Sequence, residues 1–183
     1  KNLLDLDNSV KKNIKLLADA KNKKISDLSA CLLKRDRHNE IVSSLQSLNV
    51  NINFISDGDI AGALSVIGKN SKNDIYLGTG GGPEGVITAA ALSCLDGQIQ
   101  GRLILNEKEI IRANKMGIKD PKAKYNTEDM IKGDVIFCAS GVTSGELANG
   151  VVNYKDKFEV STYAMHKSQK INIKVTNIYK KWT

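Results

Sequence analysis

Glu84 places a carboxylate inside a stretch otherwise suited to hold phosphate, and that conflict says more about chemistry than anything else in the chain. Residues 74–91 read DIYLGTGGGPEGVITAAA. Ile75, Tyr76 and Leu77 suit a buried strand, five glycines lie between Gly78 and Gly85, and Pro83 falls in a first helical turn, where its missing N–H costs nothing. A strand, loop and helix of this kind expose backbone N–H groups without Cβ atoms. The helix N-terminus adds unpaired donors and partial positive charge, so an anion is the natural ligand. Glu84 then has two explanations. It complements the helix dipole, a surface effect of roughly 0.3–1 kcal/mol, or it ligates a hard cation lying between it and the phosphate, since Mg²⁺ takes one or two carboxylates plus phosphate oxygens.

Two more clusters follow strand-like runs. Arg35 and Arg37 flank Asp36 in KRDRH, and two guanidinium forks suit bidentate phosphate recognition; the competing reading is a solvated charge run. Asp57, Gly58 and Asp59 offer two carboxylates around a turn, able to accept bonds from sugar hydroxyls or hold a cation, although turn chemistry alone favours the same residues. His38 is set aside as a helix cap or surface residue, and His166 as part of a surface hairpin. Ser140, Thr143 and Ser144 lack a G-x-S-x-G elbow and are read as turn or phosphate-facing hydroxyls. Gly80, Gly82 and Gly85 also satisfy G-x-G-x-x-G, with Glu107 after a later strand, which makes dinucleotide binding the rival. Against it, Pro83 and Glu84 precede the third glycine, and the fingerprint normally follows the first strand of its fold, not the third.

The elements that must position these groups alternate. Asp7, Asn8 or Ser9 caps a helix carrying Val10, Ile14 and Leu17 that ends near Lys24, with residues 1–6 as a tail. Strands are predicted at 30–33, 52–55 and 75–77, with helices between them through Ile41, Leu45 and Leu48 and over 60–68. This βαβαβα order implies an α/β fold with a largely parallel sheet covered by helices, whose ligands bind outside the carboxyl ends of the strands. Loops 35–38, 57–59 and 78–85 should therefore share one rim. Further on, 98–105 is expected to be a strand and Asn106 to cap a helix with Ile110, Ile111 and Met116 facing inward. Residues 119–125 form a loop, Thr127 opens a brief helix, 134–139 is the most strand-like run, and 158–166 with 171–179 make a C-terminal antiparallel pair.

With 183 residues, the chain fits a single α/β domain over 1–183. An aromatic content of 5% argues against a stacking platform for nucleic acid. The net charge of +7 suits anionic partners, but the lysines are scattered, which points to phosphorylated metabolites and not to nucleic acid. Cys31, Cys94 and Cys138 are odd in number and widely spaced, as expected of reduced core cysteines. There is no apolar run of about 18 residues, so no membrane association is expected and the default location is cytoplasmic.

Taken together, KRDRH at 34–38, SDGDIAGA at 56–63, GTGGGPEGVITAAAL at 78–92 and DVIFCASGVTSGELANGV at 134–151 resemble class II fructose-1,6-bisphosphatase, the bacterial type related to lithium-sensitive inositol and sugar phosphatases. The resemblance spans essentially the whole chain but only the C-terminal part of that family, so it implies the C-terminal half of an inositol-phosphatase-like αβαβα sandwich. It also implies that Arg35, Asp36, Arg37, Asp57, Gly58 and Asp59 contact substrate, that Gly81 helps seat it, and that Glu84 ligates Mn²⁺ or Mg²⁺. The implied reaction is hydrolysis of the 1-phosphate of fructose 1,6-bisphosphate in gluconeogenesis, with sedoheptulose 1,7-bisphosphate as a second substrate, in a cytoplasmic homo-oligomer. No catalytic residue is assignable in this chain. The family's D-P-x-[DE]-G-[ST] metal motif does not occur in it, Lys34 stands where an acidic residue is usual, and Asp36 where proline is frequent. The chain alone is therefore expected to be catalytically weak or silent, with a missing N-terminal half supplying the other metal ligands. The alternative is a non-catalytic sugar-phosphate or dinucleotide-binding module.

Overall fold

The computed structural model describes residues 3–68 and 71–181. Its first layer is helical. Ser9 accepts a hydrogen bond from the Lys12 N–H and starts α1 (Val10–Lys21), which stops at Asn22 in the left-handed conformation. Residues 1–2 of the expected tail lie outside the described residues. The rest of that segment is held in place: the Leu6 N–H donates to Gln100, and Asp5 and Asp7 pair with Lys124.

β1 (Ser29–Leu33) follows, then α2 (Asn39–Gln46), β2 (Asn51–Ile55), α3 (Asp59–Leu64), β3 (Ile75–Tyr76) and α4 (Gly82–Ser93). The three strands are parallel in the order β2-β1-β3. The unbroken apolar run of Ala30 to Leu33 suits the central position, since a strand covered on both faces has no polar side to show. Ala30 and Leu32 join Ile14, Leu17, Leu45 and Ile75 in one core under α1 and α2. On the opposite face α3 lies close against the sheet. A Cβ at Gly62 would come within 2.6 Å of Ile55 and 2.7 Å of Tyr76, so only glycine permits that approach. α3 is shorter than the expected 60–68. At the amino end of the sheet, the Asp74 carboxylate accepts from the Ser29 N–H and from the ammonium groups of Lys21 and Lys23, tying β1, β3 and the end of α1 together.

The second half departs further from expectation. β4 (Gln100–Arg102) is only three residues long and pairs antiparallel with β5 (Lys124–Asn126), inside the segment expected to be loop. Asn106 and Glu109 form a capping box on α5 (Glu107–Lys115), as the sequence suggests. The orientation is different: Ile111 and Met116 face solvent and Ala113 is the buried residue, because no other layer of the described chain covers that face. α6 (Thr127–Met130) is the expected brief helix.

β6 (Ile136–Ser140), β7 (Val152–Asn153), β8 (Lys157–His166) and β9 (Ile171–Lys180) form a four-stranded antiparallel sheet. The expected C-terminal pair is β8 and β9, but β6 joins it and not the parallel sheet. Leu64, Ala91, Leu92, Phe137, Tyr163 and Met165 make a second core between α3, α4 and this sheet. The layers thus run from α1 and α2 through the parallel sheet and α3 with α4 to the antiparallel sheet. Cys31 is buried and Cys94 belongs to the second core, whereas Cys138 is exposed because β6 turns it to the uncovered face.

Candidate functional site

The carboxyl ends of β1, β2 and β3 open on one rim, and a cleft of about 430 Å³ lies there. Each loop is shaped by its own residues. After β1 the chain makes one 3-10 turn over Asp36–His38. Arg35 donates to the Lys34 and Ser56 carbonyls at 3.0 and 2.8 Å, fastening the end of β1 to the end of β2. After β2, the Asp57 carboxylate accepts from the Gly58 N–H, and Gly58 adopts φ +90, a conformation that explains why glycine separates the two aspartates. Asp59 opens α3 and accepts from the Tyr76 hydroxyl at 2.8 Å. Burial, with that hydrogen bond to a carboxylate, pushes the Tyr76 phenol well above its ordinary range, so Tyr76 serves as a neutral donor.

The glycine turn after β3 comes close to two acidic side chains. A Cβ at Gly80 would sit 2.6 Å from Asp59 Oδ2, and one at Gly81 would overlap the Glu84 carboxylate. Glu84 therefore folds its carboxylate back over the turn, although the residue as a whole is exposed. Arg35, Arg37, Asp57, Gly58, Asp59, Gly81 and Glu84 all line the same cleft. Asp36 does not; it is exposed on its short turn. Of residues 140–147, at the end of β6 and after it, only Leu147 reaches the cleft. Ser140 bonds instead to Thr162 across the sheet, and the Ser144 hydroxyl accepts from the Gly150 N–H.

His38 is the N-cap residue of α2 by position, without a side-chain cap bond, but it corrects the surface assignment. It is 1% exposed, with Nδ1 2.8 Å from the Leu33 carbonyl and Nε2 accepting from the Thr79 N–H at 2.9 Å. Arg37 Nε donates to the carbonyl of that same Thr79 at 2.7 Å. Sequence reasoning missed His38 because one of its two partners, Thr79, lies 41 residues away, and no periodicity marks such a bridge. Leu147 carried no signal at all.

Two guanidinium groups and three carboxylates line the cleft, so an incoming phosphate would meet an excess of negative charge. A divalent cation would resolve this, and all-oxygen donors suit Mg²⁺ or Mn²⁺. Among the described residues, however, no three His, Cys, Asp or Glu side chains converge to hold a metal. The chain thus fits a metal that takes Glu84 and finds its remaining ligands in phosphate, water or protein outside this segment.

The family described as bacterial fructose-1,6-bisphosphatase, glpX-encoded, matches residues 1–179. The chain belongs to that family. It is 36% identical over 162 residues to the D-fructose 1,6-bisphosphatase class 2/sedoheptulose 1,7-bisphosphatase of Synechocystis sp., covering 81% of this chain and 47% of that protein. The protein of the same name from Synechococcus elongatus is 33% identical over 169 residues, covering 85% and 49% respectively. The chain spans about half the length of these relatives. Among the described residues, no helix is long and apolar enough to cross a membrane.

Proposed function

We propose that this chain is the substrate-binding, partly metal-binding part of a sugar bisphosphatase that removes the 1-phosphate of fructose 1,6-bisphosphate, with sedoheptulose 1,7-bisphosphate as a second substrate. In this reading 1–183 is one domain corresponding to the C-terminal part of a longer phosphatase. The observation that carries the proposal is the fold of the Glu84 carboxylate back over Gly81, in a cleft that Arg35, Arg37, Asp57 and Asp59 also line.

The residues divide the work by chemistry. Among the described residues Arg37 donates through Nε alone, so its two terminal amino groups can grip a phosphate bidentately. The glycine turn at Gly80 and Gly81 lines the same cleft, and the unpaired N–H groups at the start of α4 offer further donors to an anion there. Asp57 and the free oxygen of Asp59 accept from sugar hydroxyls, and Tyr76 keeps Asp59 turned towards the cleft. Asp36 lies off the cleft, so the geometry lends no support to the substrate contact implied for it. Glu84 would hold Mn²⁺ or Mg²⁺, which when bound neutralises phosphate charge and lowers the pKa of coordinated water. Orienting the ester and screening its charge is most of what phosphoryl transfer asks of a protein.

Three lining carboxylates without a complete metal cage favour a division of labour in which the other ligands come from the remaining half of the family's chain. The assay is phosphate release from fructose 1,6-bisphosphate with Mn²⁺, first with this chain and then with the complementary half of a relative added. Release only on mixing supports the proposal. Full turnover by this chain alone would contradict it, and saturable binding without turnover in either case would favour the non-catalytic binding module. A cytoplasmic homo-oligomer is the setting expected of such an enzyme.

A further inference from the structure

We propose that His38, which nothing above assigns to substrate or metal, is a positioning residue that locks the glycine turn to the arginine corner through one tautomer of its ring. The ring bridges the turn after β1 and the glycine turn after β3, just beyond the last paired residues of those two strands. Its Nδ1 faces the Leu33 carbonyl at 2.8 Å, and a carbonyl only accepts, so Nδ1 carries the proton. In the neutral ring Nε2 is then a bare acceptor, and it takes the Thr79 N–H at 2.9 Å. The Thr79 carbonyl also lies 3.2 Å from Nε2, but its donor is Arg37 Nε at 2.7 Å. Arg37 and His38 therefore hold both ends of one residue, and the Gly80–Gly81 amides leave that residue with their direction set.

The packing agrees. A Cβ at Gly78 would stand 3.1 Å from His38 Cε1 and 3.2 Å from Nε2, so the turn is bare where the ring passes. Burial of the ring excludes the water that could otherwise replace either partner. Arg37 gains most from this arrangement, because a displaced Thr79 carbonyl would release its Nε and let the guanidinium swing out of the cleft.

The ligand arm of the test rests on the sugar-phosphate reading above, and the other arms do not. In ¹⁵N-labelled chain, His38 Nε2 should resonate as an unprotonated nitrogen and the Thr79 amide should exchange slowly. His38→Asn keeps a donor near Nδ1 but loses the distant acceptor. It should speed Thr79 exchange and weaken fructose 1,6-bisphosphate binding, each by roughly tenfold. His38→Gln places a carbonyl oxygen near the old Nε2 and should recover most of both losses, which a purely space-filling role would not predict. Should either variant fail to fold, the nitrogen shift and Thr79 exchange of the unsubstituted chain decide the matter alone. A protonated Nε2, a rapidly exchanging Thr79 amide, or unchanged affinity and exchange in His38→Asn overturns the clamp. A chain that binds no sugar bisphosphate but shows the predicted shift and slow Thr79 exchange rejects the substrate reading and supports the clamp.

Discussion

Replacing Gly81 by alanine should expel the Glu84 carboxylate from the cleft while leaving the fold intact. Gly81 has φ −71 and ψ 145, extended values that any residue adopts, so the backbone does not resist the change. The added Cβ meets only the far end of a flexible side chain, and Glu84 rotates away at little cost. On stability alone, removing a glycine at a compatible position helps by about 0.4–1 kcal/mol, through the unfolded chain. Losing one charged ligand should cost about 1.5–3 kcal/mol of metal binding, or roughly ten- to a hundredfold in affinity. Mn²⁺ titration calorimetry in saturating fructose 1,6-bisphosphate, run beside urea unfolding, separates the two effects. Glu84→Gln should lose similar Mn²⁺ affinity, and combining it with Gly81→Ala should add little, since both remove the same ligand. If Gly81→Ala leaves Mn²⁺ affinity untouched, or if the two losses add, Glu84 is not the ligand and its role reverts to the helix dipole.

Other consequences concern the frame behind the cleft. Burial works against ionisation of Asp74, yet hydrogen bonds from Lys21, Ser29 and Lys23 hold its carboxyl below the ordinary value. Asp74→Ala should therefore lower urea-measured stability by about 2–3 kcal/mol at neutral pH. The contribution of Asp74 is fully present above its unfolded-state pKa of about 3.9 and fades as pH falls through the lower folded-state value, so the difference between the proteins should shrink in acid. A pH-independent difference would be inconsistent with that origin. Gly62→Ala should destabilise by about 1–3 kcal/mol despite alanine's better helix propensity, because its Cβ would collide with Ile55 and Tyr76. An increase in melting temperature would show that α3 can lift off the sheet without penalty.

The parallel core and the rim were legible because their signals are local. Ala30 to Leu33 is apolar without interruption, the amphipathic helices carry their caps, and each strand runs straight into its polar loop. Glu84 stood out because a carboxylate competes with phosphate for the same anion-seeking turn unless a cation lies between them. What could not be seen depends on partners distant in sequence. β6 is as apolar as a parallel strand but pairs antiparallel with β8, a choice made by which edge it meets. Ile111 on α5 and Met116 at its C-cap occupy apolar positions that no layer of the described chain covers. His38 looked like any histidine at a helix start, and only the return of the chain at Thr79 buries it.

The most direct test of the central claim is an anomalous difference map, recorded at the manganese edge from crystals of this chain grown with Mn²⁺ and fructose 1,6-bisphosphate. The account predicts one peak within coordination distance of Glu84, with phosphate density between it and Arg37. A peak away from Glu84, or sugar phosphate bound outside the rim formed by β1, β2 and β3, would contradict it.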